Sequence, residues 1–183
     1  MSVKYKIRDQ TRLHFITFAV VEWVDVFTRN VYKDVLIDSL RYCQKHKGLL
    51  LYGWCIMTNH VHLIISSADG FKQEYILRDF KKHTSRQLIT MIEGNPQESR
   101  KNRMLWLFKE AGKSNSNNKY YQFWQQDNHP LELSGNLLID QKLSYLHNNP
   151  VEAGIVDEPE SYLYSSARDY SGRKGFIDIE FIE

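Results

Sequence analysis

Residues 49–66 read LLLYGWCIMTNHVHLIIS, and the fold follows from how that stretch is parsed. Leu49 to Met57 and His60 to Ser66 are two β-rich runs with only Thr58-Asn59 between them, a spacing that predicts adjacent antiparallel strands. Side chains two apart on a strand share a face, so Val61, Leu63 and Ile65 point one way and His60 and His62 the other. The apolar set would anchor the strand in a core while both imidazoles look into a cleft and reach one ion. Taken alone, a His-x-His pair has two readings, a metal site or two structural histidines.

Working outward, Val31, Val35, Leu36, Leu40 and Cys43 keep helical spacing up to Lys47, and Gly48 stops that helix. Arg12 to Val21, RLHFITFAVV, is apolar on both faces and reads as a central strand. Downstream, Phe71, Tyr75, Ile76, Phe80, Leu88 and Ile92 form the stripe of a second helix, broken at Gly94-Asn95-Pro96. Ser99 to Lys113 reads as a further helical piece, Ser114 to Lys119 as a polar, mobile loop, and Tyr120 to Gln125 as a short aromatic strand. Leu137 to His147 is helical, and Pro150 is expected to end that helix near Asn149. The remainder is acidic, aromatic and irregular, with a closing strand at Phe176 to Ile182. No repeat is present. This order predicts an α+β fold, a ferredoxin-like sandwich whose antiparallel sheet carries helices mainly on one face. At 183 residues the chain is expected to be a single domain, with a core over about 10–156 and a C-terminal extension over about 157–183.

Hydrophobic content of 42% and charged content of 25% suit a soluble globular protein, and the longest apolar runs fall far short of the ~20 residues of a membrane span. Met1 to Ile16 lacks the apolar stretch and cleavage site of a secretory signal, so a cytoplasmic location is expected. Cys43 and Cys55 lie in apolar surroundings without metal-site spacing and read as buried free thiols. The net charge of +2 is unevenly spread: residues 71–119 hold 11 Lys and Arg against 5 Asp and Glu, and residues 120–183 hold 4 against 11. A basic middle suits a polyanion on one face; it also suits a solvated helix.

Tyr145 and Asn149 are four apart and share a helix side. A phenol, with a pKa near ~10, is a weak nucleophile at neutral pH unless its target is made more electrophilic, which a divalent cation on a phosphate does. The alternative is a packing tyrosine followed by an asparagine cap.

In ordered combination these motifs resemble the single-tyrosine HUH transposases, in particular the REP-associated tyrosine transposases of bacteria. The resemblance covers nearly the whole chain. It rests on GWCIMTNHVHLII, FKKHTSRQL (Phe80 to Leu88), FWQQ (Phe123 to Gln126), YLHNNPVEAGIV (Tyr145 to Val156) and SYLYSSARDY (Ser161 to Tyr170). It implies that His60 and His62 bind a divalent metal, Mg2+ or Mn2+, that Tyr145 attacks DNA, and that Asn149 takes the third-ligand position, for which His147 competes. The implied reaction is cleavage and strand transfer of single-stranded or hairpin DNA through a 5′-phosphotyrosine, without a nucleoside triphosphate. Arg78, Lys81, Lys82 and Arg86 are the candidate backbone contacts; Tyr121 and Trp124 are the candidate stacking residues, with core packing as their alternative reading, and Lys4 to Arg8 is either a further contact or a frayed terminus. A nucleoid-associated monomer is expected rather than a homodimer. Rival readings are another HUH nuclease, such as a replication initiator or relaxase, a non-catalytic DNA-binding protein that regulates its own repeats, and an α+β interaction protein with a solvated basic helix.

Overall fold

The computed structural model describes residues 7, 9–113, 120–126 and 128–182. In chain order its elements are β1 (His14–Ala19), α1 (Asn30–Lys47), β2 (Leu49–Ile56), β3 (His60–Ser67), α2 (Gln73–Gly94), α3 (Lys101–Lys113), β4 (Leu131–Glu132), α4 (Asn136–Glu152) and α5 (Ala167–Tyr170), with single 3-10 turns between some of them. Among the described residues the strands form one antiparallel sheet ordered β2-β3-β1-β4, the ferredoxin-like α+β arrangement. The chain turns from α1 into β2 at Gly48, whose φ of 67° suits a residue without a side chain. A Cβ there would also run into the Phe71 ring.

The register sorts the sheet into two faces. Thr17 pairs with His62 and Phe18 with Val61, so Ile16, Phe18, Val61, Leu63 and Ile65 share one face and Phe15, Thr17, His60 and His62 the other. The long helices α1 and α2 pack against each other on the first face, where Phe18 meets Phe80 of α2 edge-on at 5.6 Å. Helix α4 crosses the second face, with Leu143 and Leu146 over Gly53 of β2. Phe18, Leu36, Leu40, Leu51, Trp54, Val61, Leu63 and Phe80 belong to one continuous core, and burial of side chains this large contributes roughly 1.5–3 kcal/mol each.

Four details differ from the expectations. Tyr120 to Gln125 forms only an isolated bridge, Val20 to Trp124, because Phe123 and Trp124 are drawn into the core; the fourth strand is the two-residue β4, opposite His14 and Phe15. Phe176 to Ile182 is not a strand; among the described residues it gives the sheet a single backbone bond, from Glu180 N–H to the Leu51 carbonyl. The outer edge of β2 is covered instead by residues 162–166: Ile56 N–H donates to the Tyr164 carbonyl, Ser166 N–H to the Trp54 carbonyl, and the Tyr162 hydroxyl to the Ile56 carbonyl. Covering that row of unpaired groups protects the edge. Pro150 lies inside α4, which continues to Glu152; Ile155 N–H donates to the Pro150 carbonyl and Gly154, with φ of 68°, ends the segment. Finally, α2 starts at Gln73, with Phe71 and Tyr75 exposed, because buried Gln73 is tied through its side chain to the Gln10 and Arg12 carbonyls.

Ser114 to Lys119, and Lys4 to Arg8 apart from Ile7, lie outside the described residues. Cys43 and Cys55 are free and buried, and burial pushes their thiols up to about 11 and about 12. Among the described residues no helix is long and apolar enough to cross a membrane.

Candidate active site

β3 begins at His60, and the strand's two-residue repeat carries His60 and His62 to the α4 side with ring centroids 4.8 Å apart. Each imidazole is held by its Nδ1. His60 Nδ1 donates to the Asn59 side-chain carbonyl at 2.7 Å, and His62 Nδ1 is hydrogen-bonded to the Thr17 hydroxyl at 2.8 Å across the β1–β3 pairing. An outer partner on Nδ1 leaves Nε2 to present a lone pair inward, the usual way a protein orients a metal-binding histidine. His62 Nε2 is buried and has no hydrogen-bond partner among the described residues. Such an atom is costly in an apolar interior unless something binds it.

Helix α4 closes the site from above. Tyr145 sets its ring edge-on to His62 at 5.3 Å and to Phe15 at 6.0 Å, while Phe15 stacks on His62 at 5.3 Å. The tyrosine nonetheless stays 42% exposed, so a large substrate can reach the phenol. One turn earlier, Lys142 Nζ lies 5.3 Å from the Tyr145 ring centroid. One turn later, Asn149 Nδ2 donates to the Tyr145 carbonyl at 2.9 Å, which leaves Oδ1 as the amide atom available to a cation.

Burial is the largest influence on both imidazoles and disfavours their charged forms. It lowers His60, opposed by the Asn149 side chain and Asp25. His62 is driven down to about 3 by burial, then by the neighbouring His60 and by Lys142, against Asn149. Both rings are therefore neutral at physiological pH, the form that binds a metal. His62 is buried rather than open to a cleft, because Phe15 and Tyr145 cover it.

The structure brings His60, His62, Tyr145 and Asn149 together. It removes His147: two positions from Tyr145, that ring points to the other side of α4, buried, with Nε2 on the Ser166 hydroxyl at 2.9 Å and the ring 5.2 Å from Tyr170. Trp124 is no stacking surface. It is 4% exposed among Phe18, Phe27 and Phe123, and its Nε1 donates to Thr84. Lys81 donates to the Gln125 carbonyl and to Asn128 Oδ1, tying down the chain before β4. Arg78 pairs with Asp79 and lies over the exposed Tyr75 ring, and the half-exposed Tyr121 donates to Glu93. Lys82 and Arg86 are exposed. All the α2 residues belong to a helix packed across the sheet from the histidines. Sequence reading missed Thr17, Phe15, Asn59 and Lys142; only Lys142, three residues before Tyr145 on the same helix, left a spacing signal.

The family model for IS200-like transposases matches residues 8–148. Among solved structures, the chain is similar to a REP-associated tyrosine transposase bound to a REP hairpin, with a TM-score of 0.67 and 15% identity over 100% of this chain and 96% of that one. A protein of Deinococcus radiodurans R1 described as a transposase is 16% identical over 81% of this chain and 95% of its own, with a TM-score of 0.45. No curated protein matches. The first structural likeness supports the fold, and the family match takes in the whole sheet, both histidines and Tyr145. The chain belongs to the IS200-like transposase family.

Proposed function

We propose that this transposase cuts and rejoins single-stranded or hairpin-flanked DNA, with Tyr145 as nucleophile and His60, His62 and Asn149 as ligands of a divalent cation, Mg2+ or Mn2+. The observation that carries the reading is His62 Nε2, buried with no hydrogen-bond partner among the described residues and 5.3 Å, ring to ring, from an accessible tyrosine. Two neutral imidazole nitrogens and an amide oxygen suit a borderline-to-hard divalent ion and leave coordination positions open for phosphate oxygens. When bound, such an ion withdraws charge from the scissile phosphate and assists the leaving oxygen.

The chain's own residues do the rest. Tyr145 forms a new bond from its phenolic oxygen to phosphorus as the bond to the 3′-oxygen breaks, giving a 5′-phosphotyrosine and a free 3′-hydroxyl. The phenol's proton is lost and the departing oxygen gains one. Phe15 and His62 hold the tyrosine ring from two sides, so attack starts from an oriented side chain. Lys142 offsets negative charge on the phenol and the phosphate. Attack by another 3′-hydroxyl on the phosphotyrosine reverses the first step and joins a new strand, with no outside energy source. All four residues come from one chain, which supports a monomer as the working unit. Lys82 and Arg86 supply phosphate contacts away from the cut.

The test is incubation of labelled single strands carrying hairpins from the gene's own flanks with wild-type and Tyr145→Phe protein, in Mn2+ or chelator. A covalent adduct that requires both Tyr145 and metal is expected. Cleavage that survives Tyr145→Phe, or tight binding without cleavage, would overturn the mechanism.

A further inference from the structure

Beside the histidines a tryptophan stands on the surface. Trp23 is 55% exposed, and its ring lies 5.8 Å from that of His60 at an interplanar angle of 73°. The backbone that presents it is unusual: Glu22 and Trp23 both have φ of 52°, the left-handed region that side chains disfavour. The segment is nevertheless firmly held. Asn59 Nδ2 donates to the Trp23 carbonyl at 3.3 Å and to Asp25 Oδ1 at 3.0 Å, while the same amide's Oδ1 accepts from His60. The Thr58 hydroxyl donates to Asp25 Oδ1 at 2.7 Å, and Arg100, itself bound to Glu98, donates to the Asp25 carbonyl at 2.7 Å. Val21, Val26 and Phe27 are buried on either side. A large aromatic surface is thus held rigidly toward solvent, connected through one asparagine to an active-site imidazole.

We infer that Trp23 is the stacking platform for an unpaired nucleobase next to the phosphate that is cut; this deepens the function proposed above and rests on it. An exposed ring fixed at the mouth of a phosphate-handling site matches the flat face that every base presents when it is out of a duplex. Bases within a duplex stack on each other, so the platform favours a strand unpaired at that nucleotide. It also locks the sugar-phosphate backbone against sliding past Tyr145. Trp23 takes the role that sequence reading gave to Trp124, whose ring is enclosed.

The experiment uses the full chain in a Tyr145→Phe background, so that no strand is cut, and the hairpin-flanked strand whose cleaved bond has been mapped with wild-type protein. Trp23→Leu keeps apolar bulk without a π-face; Trp23→Phe keeps a ring. Trp23→Leu should weaken binding about 5- to 150-fold, the range for loss of one base–aromatic stack, and Trp23→Phe should lose less. One abasic substitution beside the cleaved bond should erase the difference between Trp23 and Trp23→Leu, the non-additivity of partners in contact. Should Trp23→Leu lower the melting temperature, the comparison of Trp23→Phe with Trp23 across the abasic series decides in the same way. Unchanged affinity in Trp23→Leu, or a penalty equal on intact and all abasic strands, would overturn the inference while leaving the transposase mechanism standing if the Tyr145-dependent adduct still forms. If the protein with Tyr145 intact neither binds the strand nor forms an adduct, both readings fall.

Discussion

At the scale of single residues, the site depends on what stands behind it. The Thr17 hydroxyl fixes His62 from β1 and the Asn59 side chain fixes His60 from the hairpin turn, so neither imidazole chooses its own orientation. Thr17→Val keeps the shape and removes the hydroxyl. It should lower Mn2+ affinity about 10–100-fold, the usual effect of losing an outer partner of a metal-binding histidine, with the fold intact by circular dichroism. Titration calorimetry checks this, and an unchanged affinity would contradict the orienting role given to Thr17. The histidine pair and Tyr145–Asn149 were legible in the sequence because each pair sits within one element, where spacing alone says which side chains share a face. Thr17 was not legible, since its partnership with His62 exists only once β1 and β3 are in register. Trp23 was not legible either: Glu22-Trp23 carries none of the Gly or Asn chemistry that signals a left-handed backbone.

At the scale of elements, the decisive contact is α4 on β2. Gly53 lies under Leu143 and Leu146, and a Cβ added there would come within 3.0 Å of Leu143 Cδ1. The glycine therefore sets how closely the Tyr145 helix approaches the histidine strand. Gly53→Val should push α4 outward, at a cost of about 1–3 kcal/mol in overpacking, and slow adduct formation at least tenfold while β2–β3 pairing survives. Adduct rate and urea midpoint measured together test this; a normal rate would mean that α4 is positioned by other contacts. The strand hairpin, α1, α2 and α4 were readable from periodicity. The fourth strand was not, because β4 has only two residues and its role is geometric, whereas the aromatic run at Tyr120 to Gln125 has strand-like composition and spends it on core packing. Pro150 misled for a related reason. Its restriction acts on local conformation, but the turn it enters is completed by bonds to downstream N–H groups.

At the scale of the whole molecule, buried histidines make stability depend on pH. His62 is lowered to about 3 and His147 to about 4, both first by burial, from an ordinary value of 6.5. Between those values and 6.5 the unfolded chain binds more protons than the folded one, so stability is fully present above about 6.5 and declines as pH falls toward the folded values. For metal-free protein each histidine should contribute a slope of up to ~1.4 kcal/mol per pH unit in that window. Urea unfolding at pH 7 and pH 5 should show the lower midpoint at pH 5, and His147→Gln should flatten the difference; equal midpoints would contradict the burial of these rings. The ferredoxin-like architecture was legible from the order of elements. The C-terminal segment's part in it was not, because residues 162–166 cover the edge of β2 as irregular chain without strand periodicity. The central claim, that Tyr145 takes the DNA strand onto itself, is tested most directly by nuclease digestion of the adduct followed by peptide mass spectrometry. A nucleotide joined through its 5′-phosphate to the peptide containing Tyr145 is the expected result, and attachment to any other residue, or no covalent nucleotide in a reaction that cuts DNA, would contradict it.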